Sequence, residues 1–333
     1  YYTGFVVEYF SVIGGLILLI IAGDKLVEGA VAIAERLNVS KLVIGITVVS
    51  FGTSAPELVV GVDAALAGVS DMALGNVVGS NIANVLLVLG IPALLYPFSC
   101  DDKEIIHSMY FMLLATVLLI LLSFFGPLSL WQGIVMILIL FGFLYYSIKR
   151  SRRNIITMVH DLDYTERALG DIDAGLEREI PLTKAIFITI LGLAGLIFGA
   201  HILVDGATTI ARGIGVSEVI IGLTVIAIGT SLPELVTSVM AARNKHGDVA
   251  IGNVIGSNLF NILAIMGVTS VIAPVNIPDH FMMVDYPILL ATSLLLIPFV
   301  LGKVKISRLA GLFFLMTYIL YMIFLAYQAN LFV

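Results

Sequence analysis

The chain has 333 residues, of which 60% are hydrophobic and only 12% are charged, and its net charge is −6. A soluble domain carries about 25% charged residues, so this composition and the mean hydropathy of +1.10 exclude one. The single cysteine, Cys100, excludes an intrachain disulfide and a cysteine-based metal site. No basic stripe interleaved with aromatic residues occurs, so we expect a lipid bilayer, and not a nucleic acid, as the partner of this chain.

Apolar stretches long enough to cross a bilayer as helices recur along the whole chain. They predict an all-α integral membrane protein with ten transmembrane helices, at roughly 8–36, 41–66, 72–96, 106–125, 129–148, 182–211, 219–242, 248–273, 283–302 and 306–328. The first apolar segment runs past Ile20 without a small-residue cleavage site, which indicates a membrane span rather than a signal peptide. The hydrophilic segment 149–181 separates a first five-span half, 1–148, from a second five-span half, 182–333.

The distribution of Lys and Arg predicts the orientation of the spans, because cytoplasmic loops carry an excess of these residues. If 149–181 is a cytoplasmic loop, fifteen cationic residues fall inside and only Arg212 falls outside. Both termini then face the exterior. The acidic residues of the loop lack the EF-hand pattern, which favours a solvated loop over a regulatory Ca²⁺ site.

The two halves contain a repeat. A shift of 177 residues aligns NVSKLVIGITVVSFGTSAPELVVGV (38–62) with GVSEVIIGLTVIAIGTSLPELVTSV (215–239), and MALGNVVGSNIANVLLVLG (72–90) with VAIGNVIGSNLFNILAIMG (249–267). The repeated segments cover about 38–97 and about 215–274. Because each half has an odd number of spans, the second copy enters the membrane with opposite polarity. Two inverted five-helix repeats are typical of secondary transporters with a site near the midplane, although duplication can also build a scaffold without a transport role.

Each repeat contains a segment that breaks a helix, GTSAPE in the first and GTSLPE in the second. Pro56 and Pro233 have no N–H, so the carbonyls of Gly52 and Gly229 lose their helical partners. Such carbonyls are tolerated in a membrane only where protein, water or an ion satisfies them. We therefore predict that helices 2 and 7 are discontinuous; a merely kinked packing helix is the alternative.

Glu57 and Glu234 follow the two prolines inside apolar spans, where each carboxylate costs about 2.5–3.5 kcal/mol on insertion scales. Buried carboxylates bind either a proton or a cation. Two of them, together with threonine carbonyls, would offer about six oxygen ligands, a set that suits Ca²⁺ rather than Zn²⁺ or copper. A pair of glutamates kept protonated for structural reasons is the alternative.

The segments GNVVGSN and GNVIGSN supply neutral oxygens. Ser80 and Asn84 share a helix face through their spacing of four residues, as do Ser257 and Asn261, and their oxygens suit Na⁺ or water. The glycines of the same segments predict close helix packing.

Together, the two linked motifs resemble the alpha-repeats of the calcium/cation antiporter superfamily, and most closely those of prokaryotic sodium/calcium exchangers. The resemblance covers nearly the whole chain. It implies that Ca²⁺ is bound by Glu57, Glu234, Thr53 and Thr230. It implies that Na⁺ is bound by Ser50, Ser54, Ser80, Glu57, Ala227, Thr230, Ser231, Glu234 and Ser257. It makes Asn84 and Asn261 the central polar positions between the glutamates.

The same resemblance implies a function. It predicts an antiporter, not an enzyme, that exchanges Na⁺ for Ca²⁺ by alternating access, without a cofactor. The expected stoichiometry of three Na⁺ for one Ca²⁺ makes the exchange electrogenic. The expected location is the inner membrane of a prokaryote, and the expected functional unit is a monomer.

Two departures from the family pattern affect this interpretation. Many relatives have aspartate at the position of Asn261, so asparagine there argues against K⁺ cotransport and leaves two carboxylates at the centre. Ser50 stands opposite Ala227 in the repeat, which bears on one Na⁺ site. Exchange of H⁺ for Ca²⁺ and a cation channel stay open as alternatives. An intramembrane enzyme is disfavoured, because no HExxH or GxGD motif occurs and no histidine lies near the glutamates in sequence.

Overall fold

The chain folds into helices because a backbone in hydrocarbon must satisfy its own hydrogen bonds. The computed structural model describes residues 2–99, 104–169, 180–215, 227–301 and 305–328. The α-helices in chain order are α1 Tyr2–Leu37, α2 Lys41–Ile44, α3 Ser50–Thr53, α4 Ala55–Leu66, α5 Ser70–Ala83, α6 Gly90–Leu95, α7 Ile105–Ser123, α8 Leu130–Leu169, α9 Leu182–Gly213, α10 Ala227–Thr230, α11 Leu232–Arg243, α12 Gly247–Leu259, α13 Met266–Ile272, α14 Tyr286–Leu294, α15 Ile297–Leu301 and α16 Arg308–Gln328. The described π-helical segments are Gly45–Val49, Asn84–Val88, Phe260–Ile265 and Phe281–Asp285.

By length and composition, eight helical stretches of the described residues could cross a membrane. A ninth span is the pair Lys41–Thr53 and Ala55–Leu66, which is bent by 48° at its break. The remaining predicted span, 219–242, lies partly outside the described residues, and its described part consists of α10 and α11. The chain is therefore a multi-pass membrane protein.

The predicted hydrophilic segment 149–181 begins as a helix, because α8 continues without interruption to Leu169. The change from apolar to charged residues ends the membrane-spanning part but not the helix, since no Pro or Gly occurs between 149 and Gly170. The extension packs against the corner between α1 and α2, where the backbone N–H of Ser40 donates to Ser151 Oγ at 2.7 Å.

The first spans of the two halves, α1 and α9, pack tightly against each other. A Cβ on Gly15 would lie 2.8 Å from the carbonyl oxygen of Gly199, and a Cβ on Gly192 would lie 2.7 Å from the backbone nitrogen of Leu26. The contacts move forward along α1 as they move backward along α9, so the two helices are antiparallel. Opposite directions for the first span of each half are what an inverted repeat requires.

Contacts beyond the repeated motifs also occur in matched pairs. The N–H of Ile306 donates to the carbonyl of Phe98 at 2.9 Å, and the N–H of Leu128 donates to the carbonyl of Val275 at 2.9 Å. Phe98 and Val275 are separated by the same shift of 177 residues as the motifs. The segment after the third span of each half is thus tied to the segment before the last span of the opposite half.

A pair of glycine contacts follows the same rule. A Cβ on Gly311 would lie 2.7 Å from the carbonyl oxygen of Gly90, and a Cβ on Gly133 would lie 2.5 Å from that of Gly267. Gly90 and Gly267 again correspond in the repeat. The matched contacts therefore reach the fifth spans, where the sequence repeat is visible only as hydropathy.

Candidate cation-binding site

The helix breaks place both predicted glutamates inside the bundle. Ser54 separates α3 from α4 with φ −83° and ψ 7°, and Ser231 separates α10 from α11 with φ −88° and ψ 5°. Pro56 and Pro233 lie in the first turn of the new helices, where a missing N–H sacrifices no helical hydrogen bond. The prolines thus start a helix in the middle of each span, in nearly the same conformation in both halves.

The glycines before these breaks have a packing role in addition to the predicted loss of helical partners. A Cβ on Gly52 would lie 2.2 Å from the Leu193 side chain, and a Cβ on Gly229 would lie 2.3 Å from the Val204 side chain. Leu193 and Val204 both belong to α9. Glycine therefore allows α9 to lie directly against both broken helices.

Glu57 and Glu234 are each only 1% exposed. Each is in the first turn of its helix, α4 or α11, where the positive end of the helix dipole favours a carboxylate. Ser54 Oγ donates to Glu234 Oε1 at 3.0 Å, so a hydroxyl of one half meets the carboxylate of the other. The helix break of the first half therefore contributes directly to the surroundings of the glutamate of the second half.

The charge of these carboxylates is not balanced by any basic side chain that the structure describes. The ion pairs of the described residues involve neither Glu57 nor Glu234. Within the same part of the chain, Oε2 of each glutamate has no hydrogen-bond partner. Because a buried, unpaired carboxylate oxygen is costly, the arrangement fits a bound cation or proton.

Two asparagines that sequence reasoning left without a role support the glutamates. Asn76 Nδ2 donates to the carbonyl oxygen of Glu57 at 3.2 Å, and Asn253 Nδ2 donates to that of Glu234 at 3.2 Å. Thr53 Oγ1 donates to Asn253 Oδ1, also at 3.2 Å, which adds a link between the halves. The signal was present in the sequence, since both asparagines belong to the repeated GNV segments.

The predicted central residues Asn84 and Asn261 form a matched set of bonds between the halves. Asn84 Nδ2 donates to Asn258 Oδ1 at 3.0 Å, and Asn261 Nδ2 donates to Asn81 Oδ1 at 3.1 Å. Oδ1 of Asn84 and of Asn261 have no partner among the described residues, and both residues are 1% exposed. Two buried neutral acceptors are thus without a partner, and both asparagines lie in π-helical segments, which often accompany functional sites.

The predicted Na⁺ ligands have different surroundings. Ser50 Oγ donates to the carbonyl of Ile46 in its own span. Ser231 is 1% exposed and Ser257 is fully buried, and the hydroxyls of both lack a hydrogen-bond partner within the described part of the chain. Ser80 is 6% exposed and lines a cavity. The hydroxyls of Ser231 and Ser257 are therefore available to a ligand, whereas that of Ser50 is used within its own span.

The two predicted threonines also differ. Thr53 is 1% exposed at the end of α3, whereas Thr230 is half-buried at the end of α10. Ala227 is the first described residue of α10, and its side chain lies outside the described part. The C-terminal end of each short helix, with its carbonyl groups, thus lies directly before a helix that begins with a glutamate in its first turn.

The sequence matches the family described as "Sodium/calcium exchanger protein" over residues 7–149 and 184–327. The putative antiporter CaxA of Alkalimonas amylolytica is 40% identical over 316 residues, which cover 93% of this chain and 96% of that protein. The sodium/calcium exchanger MaX1 of Methanosarcina acetivorans is 33% identical, over 96% of this chain and 99% of that protein.

Solved structures of the sodium-calcium exchanger NCX_Mj share the fold. The form soaked with zero Na⁺ and Ca²⁺ matches with a TM-score of 0.81 at 32% identity, covering 96% of this chain and 99% of that one. The form soaked with 2.5 mM Na⁺ and 0.1 mM Ca²⁺ matches with a TM-score of 0.78, covering 95% and 97%. The likeness therefore extends over both halves and not only over the repeated motifs.

Proposed function

Because the chain belongs to the family of sodium/calcium exchanger proteins, we propose that it exchanges Na⁺ for Ca²⁺ across the membrane by alternating access. Family membership and the likeness to NCX_Mj support exchange of cations that include Ca²⁺. The use of Na⁺, the net movement of charge and the alternating mechanism are the specific content of the proposal.

One observation carries the proposal: two carboxylates, both 1% exposed and without a basic partner among the described residues, lie at matching helix breaks. Glu57 and Glu234 together bring two negative charges. One Ca²⁺ neutralises them, and so do two monovalent cations. Because the same oxygens serve both kinds of ion, Ca²⁺ and Na⁺ compete, and competition for shared ligands is the basis of exchange.

The proposed Ca²⁺ ligands are the carboxylates of Glu57 and Glu234 and the oxygens of Thr53 and Thr230. Ca²⁺ takes six to eight oxygen ligands, as carboxylates and backbone carbonyls can supply. The proposed Na⁺ ligands add hydroxyls and carbonyls around the same centre, from Ser50, Ser54, Ser80, Ala227, Ser231 and Ser257. Asn84 and Asn261 would separate the bound ions with neutral amides.

The proposed architecture is ten spans in two inverted five-helix halves, 1–148 and 182–333, each with one repeated segment. The antiparallel packing of α1 and α9 and the matched glycine and backbone contacts support it. The positive-inside rule supports a prokaryotic inner membrane protein with both termini outside and the hydrophilic segment in the cytoplasm. We propose that the monomer is the functional unit, since each monomer contains both glutamates.

Alternating access is supported by a difference between the two copies of the GNV segment. Gly75, Asn76 and Gly79 are half-buried, and all three line the same cavity. The corresponding Gly252 and Asn253 are buried. In the proposed orientation, the cavity opens toward the exterior while the packed copy closes the cytoplasmic path. An inverted repeat can exchange these two arrangements.

The test is uptake of ⁴⁵Ca²⁺ into proteoliposomes driven by an outward Na⁺ gradient. We expect uptake that depends on the Na⁺ gradient and grows when the membrane potential is set to move positive charge outward with Na⁺. Exchange of three Na⁺ for one Ca²⁺ moves one net charge, which is worth about 2.3 kcal/mol per 100 mV. An equal gradient of H⁺ in place of Na⁺ should support little uptake.

Glu57→Gln and Glu234→Gln should each reduce uptake at least about 100-fold, because loss of one buried charge removes the match to Ca²⁺. Asp63→Asn, at an exposed carboxylate of the same helix as Glu57, is the matched control and should transport normally. Full uptake in either glutamine variant would contradict the site. Uptake driven by H⁺ alone would indicate a proton-coupled antiporter, and uptake without any counter-ion would indicate a channel.

A further inference from the structure

A cavity lies to one side of the candidate cation site, between α5, the beginning of the span at 281–301, and α16. Its volume is about 390 Å³. A water molecule takes up about 30 Å³ in the liquid, so the cavity can hold a hydrated ion. Its polar lining consists of Asn76, Ser80, His280, Asp285, Tyr318, Tyr321 and Gln328.

Asp285 is the unexplained residue of this cavity. It is the last residue of the π-helical segment Phe281–Asp285 and is only 7% exposed. Among the described residues, its one ion-pair contact is with His280, whose Nε2 lies 3.7 Å from Asp285 Oδ2 and whose side chain is 59% exposed. An ionisable residue within a membrane span is costly and commonly marks an ion pathway. The proposed exchange by Glu57 and Glu234 does not use it.

The opposite wall of the cavity belongs to the candidate cation site. Ser80 lines the cavity and is also a proposed Na⁺ ligand. Asn76, one turn earlier on α5, lines the cavity and donates to the carbonyl of Glu57. A cation in the cavity therefore faces a helix that already contacts the backbone of a central glutamate.

We propose that the cavity is an access chamber in which the Asp285 carboxylate holds a monovalent cation before it passes to Ser80. The chamber offers one carboxylate, the imidazole of His280 beside it, and neutral oxygens of amide, serine and tyrosine side chains. One negative charge is balanced by one Na⁺, whereas Ca²⁺ binds better where several carboxylates converge. A fixed negative charge in a narrow chamber also raises the local concentration of cations. The proposal rests on the proposed function.

The carboxylate of the chamber comes from one half only. The same shift of 177 residues places Ser108 opposite Asp285, and Ser108 is 3% exposed and donates to the carbonyl of Glu104 at 3.1 Å. The first half therefore has no carboxylate at the matching place. We expect Asp285 to affect Na⁺ binding from the face on which the chamber opens and not from the other face.

The experiment measures Na⁺-dependent ⁴⁵Ca²⁺ exchange by Asp285→Asn in vesicles of both orientations. The half-saturating Na⁺ concentration should rise about three- to tenfold on the chamber side, the loss expected for one nearby charge in a hydrated site. The half-saturating Ca²⁺ concentration should change less than about twofold. Asp285→Glu keeps the charge and should restore Na⁺ dependence. Asp279→Asn removes an exposed carboxylate nearby in sequence and is the matched control.

Several outcomes would overturn the chamber. These are an unchanged Na⁺ dependence in Asp285→Asn, an equal defect in Asp285→Glu, or a parallel loss of Ca²⁺ affinity. Absence of Na⁺-driven exchange in the unaltered protein would instead overturn the proposed function.

A binding measurement that needs no transport tests the chamber separately from the proposed function. In the variant with both Glu57→Gln and Glu234→Gln, Na⁺ should still raise the thermal unfolding midpoint relative to choline at equal ionic strength. Adding Asp285→Asn should abolish this Na⁺-specific rise. A rise that persists after this change would exclude Asp285 as the cation's carboxylate.

Discussion

The GNVVGSN segment of α5 and the GNVIGSN segment of α12 share their chemistry but not their surroundings. Gly75, Asn76 and Gly79 are half-buried beside the cavity. Gly252 and Gly256, by contrast, are buried, and a Cβ on either would lie 2.5 Å from a carbonyl oxygen of the second span. Nearly identical sequences thus lie beside open space in one half and in close packing in the other.

This difference indicates that the sequence permits both arrangements. Glycines let a helix pack closely against its neighbour. The same helix can also lie away from that neighbour, because the close packing depends on no specific side-chain contact at the glycines. The hydrogen bonds to the glutamate carbonyls, by contrast, are 3.2 Å in both halves. These two bonds to the glutamates are therefore symmetric, whereas the helix packing around them is not.

The largest difference between the two segments is expected when alanine replaces matched glycines. Gly252→Ala should lower the free energy of unfolding by about 1–3 kcal/mol, because overpacking of this size displaces backbone, and the new Cβ would lie 2.5 Å from the carbonyl oxygen of Leu42. Gly75→Ala should have little effect on stability, since the atom described nearest to its new Cβ is Phe281 Cζ at 3.8 Å. Thermal unfolding in detergent measures both.

The same pair tests whether the halves exchange surroundings. If they do, the half-buried segment of α5 must at some stage pack as closely as its counterpart in α12. The Gly75→Ala protein should then be stable but exchange ions slowly. We expect exchange to fall about tenfold, equivalent to about 1.4 kcal/mol against the closed arrangement. Normal exchange by a stable Gly75→Ala protein would show that α5 never adopts the packing of α12.

A smaller difference is expected between the matched asparagines. Asn253→Ala should lower the free energy of unfolding by about 2–3 kcal/mol, because Asn253 is fully buried and bonds to Glu234, Ser238 and Thr53. Asn76→Ala should cost about 0.5–1.5 kcal/mol, since Asn76 is half-buried and makes the bond to Glu57. Equal losses in unfolding measurements would argue that the two polar supports are equivalent despite their different burial.

The smallest effect is expected at Ser50, the position where the halves differ in residue type. Its hydroxyl donates to the Ile46 carbonyl of its own span, so Ser50→Ala removes no bond between elements. It makes the first half like the second, which has Ala227 there. The half-saturating Na⁺ concentration should change less than about twofold in the flux assay. A change above about tenfold would mean that the hydroxyl itself binds the ion.

The extent of α8 shows a feature that hydropathy does not predict, and the reason is local. Hydropathy locates the end of a membrane span, but a helix ends only where backbone preference or a breaker ends it. The charged residues after 148 continue the helix to Leu169, just before Gly170. The roles of Asn76 and Asn253 were missed for another reason. The repeat marks them, but only folding shows that each amide reaches the carbonyl of the glutamate in its own half.

The sequence by itself determined the features that depend on local chemistry. Apolar length sets the spans, the shift of 177 residues identifies the repeat, and Pro56 and Pro233 interrupt two helices before a glutamate. The tertiary structure alone decided which groups from distant segments meet, such as Ser54 with Glu234. It also decided that Asp285 faces a cavity beside α5 and that α12 is the packed copy. Two copies with nearly the same sequence have nearly the same local preferences, so only the contacts between helices can distinguish them.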